Sequence, residues 1–384
     1  MATNQYNAGV DSTQGANTVV HYYDRAGVKA ANRVNLYGQF ADRKSMPKKM
    51  GKTFKISKFL HMYDRALDDA DFSAKGFLTA RSIDEISTTL DAQAGLAEGA
   101  GAVNKRSLQK VTMETTLARY GEMIDYTDEV DLFSEDAMQV RYREELGELA
   151  NSRWEDLLQR DMLSTGTVMF GGSATAINEI DENSQVSYDL IRKAVRKLVR
   201  NRAKKNTMLV SGSTKIDTRT VAKSYYAVIG ASVKGDLETI TRGGGSTEEF
   251  VYIPSHKYGA AATLAEGEVG AMHEVRFIES EAAVVYDGQG ADATSGNVGN
   301  LSYTGTLDVD AKFDVFPILF PTEGAFATVG LKGHDKIKFN SKSPAQVENS
   351  NPYGTTGFFS YNFFYAGIIL EEEKLLKILV SANA

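Results

Sequence analysis

The residues most able to do chemistry in this chain are few and scattered. Met50-Gly51-Lys52-Thr53 contains the Gly-Lys-Thr of a phosphate-binding loop. That motif needs a glycine five residues before Gly51, where Met46 stands, and a preceding hydrophobic strand, which is missing. Gly99-Ala100-Gly101 supplies two glycines of a dinucleotide fingerprint, but Asn104 occupies the third position, so the stretch reads as a loop. The five histidines (His21, His61, His256, His273, His334) never share a metal-ligand spacing and read as satisfied or surface residues. Asp308, Asp310 and Asp314 alternate as on a strand edge or turn, without the glycine and terminal acid of a calcium loop. No Gly-x-Ser-x-Gly occurs. With no cysteine, thiolate nucleophiles, zinc–thiolate sites and disulfides are excluded together. No catalytic residue, metal ligand or cofactor site is assigned, and a non-enzymatic role is expected.

Charge is more informative than catalysis. The formal net charge is −7, yet Arg25–Lys58 holds ten Lys or Arg and a single acid, Asp42. That stretch carries +9 and leaves −16 on the remainder. A basic arm on an acidic body points to contacts with neighbouring subunits or with nucleic acid. Arg43, Lys44, Lys48, Lys49 and Lys52 are the candidate DNA-facing or intersubunit residues. A second basic face lies on Ser187–Arg202, through Arg192, Lys193, Arg196, Lys197 and Arg200, and Lys204 and Lys205 extend it. Nucleic-acid modules interleave such faces with exposed aromatics, whereas here aliphatic core residues intervene. A solvated or intersubunit face is the favoured reading of this helix.

The elements that must carry these residues follow from periodicity. At 384 residues, two or three domains are expected, and 42% apolar with 24% charged residues suits a globular chain. No apolar run is long enough to span a bilayer, and polar residues 2–20 do not form a secretory signal. Lys52–Met62 alternates as a half-exposed strand, and Lys105–Tyr126 is again strand-like. Two such strands, separated by residues without a core pattern, predict a long projecting hairpin that must rest on something. Ser134 is placed to cap a helix running to about Leu163, about 44 Å long. Its apolar stripe is Met138, Tyr142, Leu146, Leu149 and Leu157, with Arg153, Glu155 and Asp156 among the charged flanks. A second helix, Ser187–Arg202, buries Leu190, Ile191, Ala194, Val195, Leu198 and Val199. Strands are predicted at 208–210, 225–229, 250–253, 266–278 and 282–286, a helix-like segment at 231–240, and a surface loop over Gln289–Gly305.

The last quarter is the most distinctive. Phe313–Gly333 (FDVFPILFPTEGAFATVGLKG) and Asn349–Ile378 are long apolar strands separated by short polar turns. Within the latter, Phe358–Tyr365 (FFSYNFFY) reads as a buried central strand. Together with Arg119–Glu135 (RYGEMIDYTDEVDLFSE), these segments resemble the major capsid proteins of tailed phages, within them the family typified by coliphage N-four. The resemblance implies an α+β, Hong Kong 97-type capsid fold. By it, residues 1–50 form an N-terminal arm and 51–120 an extended loop. Residues 121–186 form a peripheral domain with a spine helix at 135–163, and 187–307 an axial domain. Residues 308–365 return strands to the peripheral domain, and 366–384 return a strand to the axial domain. It further implies self-assembly through pentamers and hexamers into an icosahedral head in the virion, built in the host cytoplasm around double-stranded DNA. Decoration, scaffolding and portal proteins are the other implied partners; no membrane is. The nearest alternative is an encapsulin-type nanocompartment shell. A phosphate-using soluble enzyme and a nucleic-acid-binding module are more distant alternatives.

Overall fold

The computed structural model describes residues 36–59, 98, 108, 110–133, 138–210, 218–241, 250–252, 265–292, 312–334, 336–346 and 351–382. Two sheets and a separate two-stranded hairpin organise them.

The smaller sheet has five strands: β1 (Asp42–Met46), β4 (Ala118–Thr127), β12 (Phe326–Leu331), β13 (Lys338–Lys342) and β14 (Thr356–Ile369). Its centre is the 14-residue β14, which pairs antiparallel with β4, β12 and β13. β1 joins the far side of β12 in parallel, Asp42 opposite Ala327 and Met46 opposite Leu331. Strand alternation splits the β14 aromatics. Phe359, Tyr361, Phe363 and Tyr365 are buried under a helix, while Ala366 and Ile368 enter a separate core on the opposite face.

That helix is α2 (Met138–Leu163); the expected cap Ser134 and the residues up to 137 lie outside the described ones. A short α1 (Asp128–Phe133) precedes it. Tyr142, Leu146, Ala150, Trp154, Leu158 and Met162 recur every four residues and face the sheets. Its last turn is closed by Lys377, whose ammonium donates to the Leu163 carbonyl at 2.7 Å, a cation at the negative end of the helix. One expectation is overturned here. Glu155 belongs to the buried face rather than the charged flank, with only 3% of its surface exposed.

The larger sheet has eight strands in the order β5 (Val168–Phe170), β15 (Leu376–Val380), β11 (Phe316–Phe320), β7 (Thr218–Gly230), β10 (Val275–Ser280), β9 (Glu268–Met272) and β8 (Val251–Tyr252), with β6 (Asn206–Val210) also on β7. Alternate residues of β7 divide its faces. Tyr226 and Val228 continue the core under α2, whereas Tyr225, Ala227 and Ile229 pack beneath α3 (Tyr188–Arg200) and α4 (Ala231–Glu238). Ser187 caps α3, accepting the Leu190 N–H at 3.2 Å.

Several segments differ from the sequence expectation. The single strand expected over 105–126 is broken at buried Leu117 into β3 (Lys110–Thr116) and β4, which pair with different partners. Strands expected together over 308–365 are divided, because β11 pairs with β7 and β15 while β12, β13 and β14 build the smaller sheet. β14 runs through the expected boundary at 366. Of 282–286, Tyr286 alone makes a bridge, to Val315. Val199, expected in the core, is 55% exposed.

Candidate assembly surfaces

The five candidate cations are all exposed, but the fold does not gather them into one patch. Arg43 and Lys44 are neighbours on an edge strand, so their side chains leave opposite faces of the sheet. Lys44 shares the face of Met46, which enters the core on the side away from α2; Arg43 points to the α2 side. Lys48 and Lys49 occupy the turn after β1, where Lys49 and Gly51 hold positive φ of 67° and 81°. The Lys48 side chain reaches over Gly333, a position at which a β-carbon would lie 3.3 Å from the ammonium. Lys52 opens the hairpin, and its carbonyl accepts the Leu117 N–H at 2.9 Å. Gly51 and Lys52 of the failed phosphate motif therefore close the turn after β1, and Thr53 begins the next strand.

The hairpin pairs β2 (Thr53–Phe59) with β3 in antiparallel register. Phe54 and Met113 point inward onto Met46, Leu117, Ala327, Val329, Ala366 and Ile368. Its outer face exposes Lys55 and Glu114, which pair at 2.8 Å, and Ser57 beside Thr112. Two further contacts hold it down. Thr115 Oγ1 donates to the Gly367 carbonyl at 3.0 Å, and Lys58 pairs with Glu371 at 3.0 Å. A two-stranded ribbon is marginal in water, and this one rests on the smaller sheet near its base.

The basic face predicted on α3 is present. Arg192, Lys193, Arg196 and Arg200 are exposed, while Lys197 is half-buried and donates to the Val168 carbonyl at 3.2 Å. Arg192 pairs with Asp189 at 3.0 Å. In the segment that follows, Lys204 is exposed, and Lys205 pairs with Glu274 at 2.7 Å. This face lies on the larger sheet, whereas the β1 cations edge the smaller one.

An apolar surface that sequence reading missed sits at one end of the smaller sheet. Leu132 and Phe133 of α1 are 73% and 84% exposed, and Tyr353, in the turn before β14, is 89% exposed. The two segments are joined by the Asp128 N–H donating to the Thr355 carbonyl at 2.9 Å. Large exposed apolar side chains of this kind are candidates for a surface that binds another molecule. The signal was the Val-Asp-Leu-Phe run, apolar on more than one side of a six-residue helix.

The remaining candidates for chemistry do not converge. Asp314 is buried and accepts the Gly288 N–H at 2.8 Å; its neighbouring carboxyl raises the pKa of Asp287. His273 turns between β9 and β10 beside Tyr188, and His334 stands edge-on to Phe364. His21, His61, His256, Asp308, Asp310, the glycines at 99–101 and most of the loop 289–305 lie outside the described residues. Among the described residues, no three His, Asp or Glu side chains gather as metal ligands.

No protein-family model matches the chain. A curated relative, the major capsid protein of Pseudomonas phage KPP21, is 29% identical over 388 residues, covering 98% of this chain and 96% of that one. Among solved structures, the capsid of Ralstonia phage GP4 superposes with a TM-score of 0.61 at 11% identity, covering 98% of this chain and 99% of that one. The capsid of cyanophage Pam1 gives 0.52 at 12% identity, covering 100% and 99%. The architecture is the Hong Kong 97-type capsid fold.

Proposed function

We infer that this chain is the major capsid protein of a tailed phage, and that its described surfaces are built to be completed by other copies of itself. The observation that carries the reading is coverage. The likeness to a phage major capsid protein and to phage capsid structures runs over 98% of the chain, so nearly all of this chain and not one module of it is covered. The encapsulin alternative is not favoured, since the relatives are phage capsids.

We further assign parts to this role. The N-terminal segment through residue 50 acts as an arm and 51–120 as an extended loop laid on a neighbour. The smaller sheet with α2 forms the peripheral domain and the larger sheet the axial domain. Exposed Leu132, Phe133 and Tyr353 make sense if neighbours cover what the subunit leaves open. Subunits associate as pentamers and hexamers into an icosahedral head enclosing double-stranded DNA, with portal, scaffolding and decoration proteins as further partners. The role is structural and not enzymatic. Subunits are made in the host cytoplasm and end in the virion. Because Arg43 and Lys44 face opposite ways, one of the pair serves an intersubunit contact and the other can face DNA.

Electron microscopy of the purified, concentrated protein tests the assembly reading. Closed polyhedral shells or capsomers support it; a monomer that never assembles contradicts it.

A further inference from the structure

The segment Leu36–Ala41 is the most deeply seated part of the N-terminal region described. Leu36, Tyr37, Gln39, Phe40 and Ala41 are all buried, between α2, β6, β7 and the residues before β9. Phe40 packs its ring 5.6 Å from that of Tyr226. Gln39 clasps the Glu266 backbone from both sides, donating to its carbonyl and accepting its N–H at 3.2 Å each. The remaining tie is to α2. The Tyr37 N–H, at the start of the short helical turn Tyr37–Phe40, donates to Glu155 Oε1 at 2.6 Å.

Glu155 is an unusual choice of acceptor. It is 3% exposed, and its second oxygen, Oε2, has no hydrogen-bond partner among the described residues. A carboxylate with one bare oxygen away from water is costly, and a proton on that oxygen removes the charge while leaving Oε1 free to accept the Tyr37 N–H. Gln159, one turn further along α2, shows the neutral version of the same clasp. It donates to the Ala282 carbonyl at 2.7 Å and accepts the Val284 N–H at 3.2 Å.

We propose that Glu155 is a proton-operated latch, which holds the segment Leu36–Ala41 against α2 when protonated and weakens that hold when it ionises. Docking creates the burial, and burial creates the proton affinity, so the two are linked.

The groups facing the latch set its range. Burial raises the Glu155 pKa to about 7, against smaller opposing pulls from the amides of Tyr37, Leu36 and Gly38, and Asp156 on the same helix raises it further. The arm's own Tyr37 phenol faces it and stays neutral, pushed up by burial and then by Glu155 and Tyr286. With the segment undocked, Glu155 meets water and returns to the ordinary carboxyl range. The docked state therefore binds the extra proton between the ordinary value and about 7. Docking strengthens as pH falls through 7 and weakens as pH rises, by about tenfold between pH 6 and pH 8.

The latch is a property of the subunit and can fail without touching the capsid reading. Amide hydrogen exchange on the full-length protein, corrected for intrinsic rates, tests it at pH 6 and pH 8. Protection of Tyr37–Ala41 is expected to fall about tenfold across that interval in the wild type. In Glu155→Gln, whose amide oxygen still accepts the Tyr37 N–H, it stays constant. Flat protection in the wild type, or an unchanged pH response in E155Q, overturns the proposal. If E155Q does not fold, a carbon-13 titration of glutamate carboxyls in the wild type decides. One carboxyl titrating near neutrality supports the latch, and none doing so overturns it.

Discussion

Lys58 and Glu371 stand 3.0 Å apart, joining the hairpin to the chain that leaves β14 across 313 residues of sequence. Both side chains are more than two-thirds buried, so the pair is better sheltered than an ordinary surface ion pair. It fastens the ribbon beyond the point where Phe54 and Met113 anchor its base.

Removing that fastening should loosen the hairpin before it unfolds the subunit. Lys58→Met keeps most of the side-chain length and is expected to cost about 1 kcal/mol, the upper end for such pairs. Amides of β2 and β3 should then exchange about fivefold faster, while those of β14 keep their protection. Hydrogen exchange resolved by peptide reads both at once.

The cap on α3 gives a second expectation. Ser187→Ala leaves the Leu190 N–H without its side-chain acceptor and should lower subunit stability by about 1 kcal/mol. Urea unfolding of unassembled subunits measures the shift. Ser187→Asp should restore most of it, since aspartate also accepts at a helix N-cap.

Two glycines should answer oppositely to alanine. A β-carbon at Gly121, on β4, would lie 2.4 Å from the Tyr361 carbonyl oxygen, inside the longest strand pairing of the smaller sheet. Gly121→Ala is expected to yield insoluble or unfolded subunits. Gly147, in the interior of α2, has nothing within 4 Å of the same position. Gly147→Ala should stabilise the unassembled subunit by about 0.5–1 kcal/mol through helix propensity. Soluble yield and thermal melting compare the pair.

The proposal that the exposed turn cations face DNA has its own test. Lys48→Glu with Lys49→Glu is expected to reduce genome retention in filled heads while empty shells still assemble. Measuring packaged DNA alongside empty-shell yield checks this, and equal loss of both would place the two lysines at an intersubunit contact.

Much of the fold was legible because it is written locally. Leu190, Ile191, Ala194, Val195 and Leu198 at helical spacing marked out α3 without knowledge of its partners. The aromatic run of β14 was equally plain, but the stripe read on α2 included Tyr142, Leu146, Leu149 and Leu157 and missed Ala150, Trp154, Leu158 and Met162. What escaped is settled by distant pairing. β1 reads Asp-Arg-Lys-Ser-Met, with no apolar alternation, and is a strand because β12 offers it an edge. β11 and β12 look alike in sequence, yet the intervening turn sends them to different sheets. Glu155 resembled any charged flank, although it lies three residues before Leu158 and seven before Met162, on the same helical face. The five candidate cations are exposed, and a strand's alternation, which their clustering in sequence does not reveal, decides that Arg43 and Lys44 part company.

The most direct test of the account is electron microscopy of the purified, concentrated chain with sedimentation beside it. Closed polyhedral shells, or pentamers and hexamers that convert to them, are the expected result. A monomer or dimer that persists at every concentration, with Leu132, Phe133 and Tyr353 left uncovered, would contradict it.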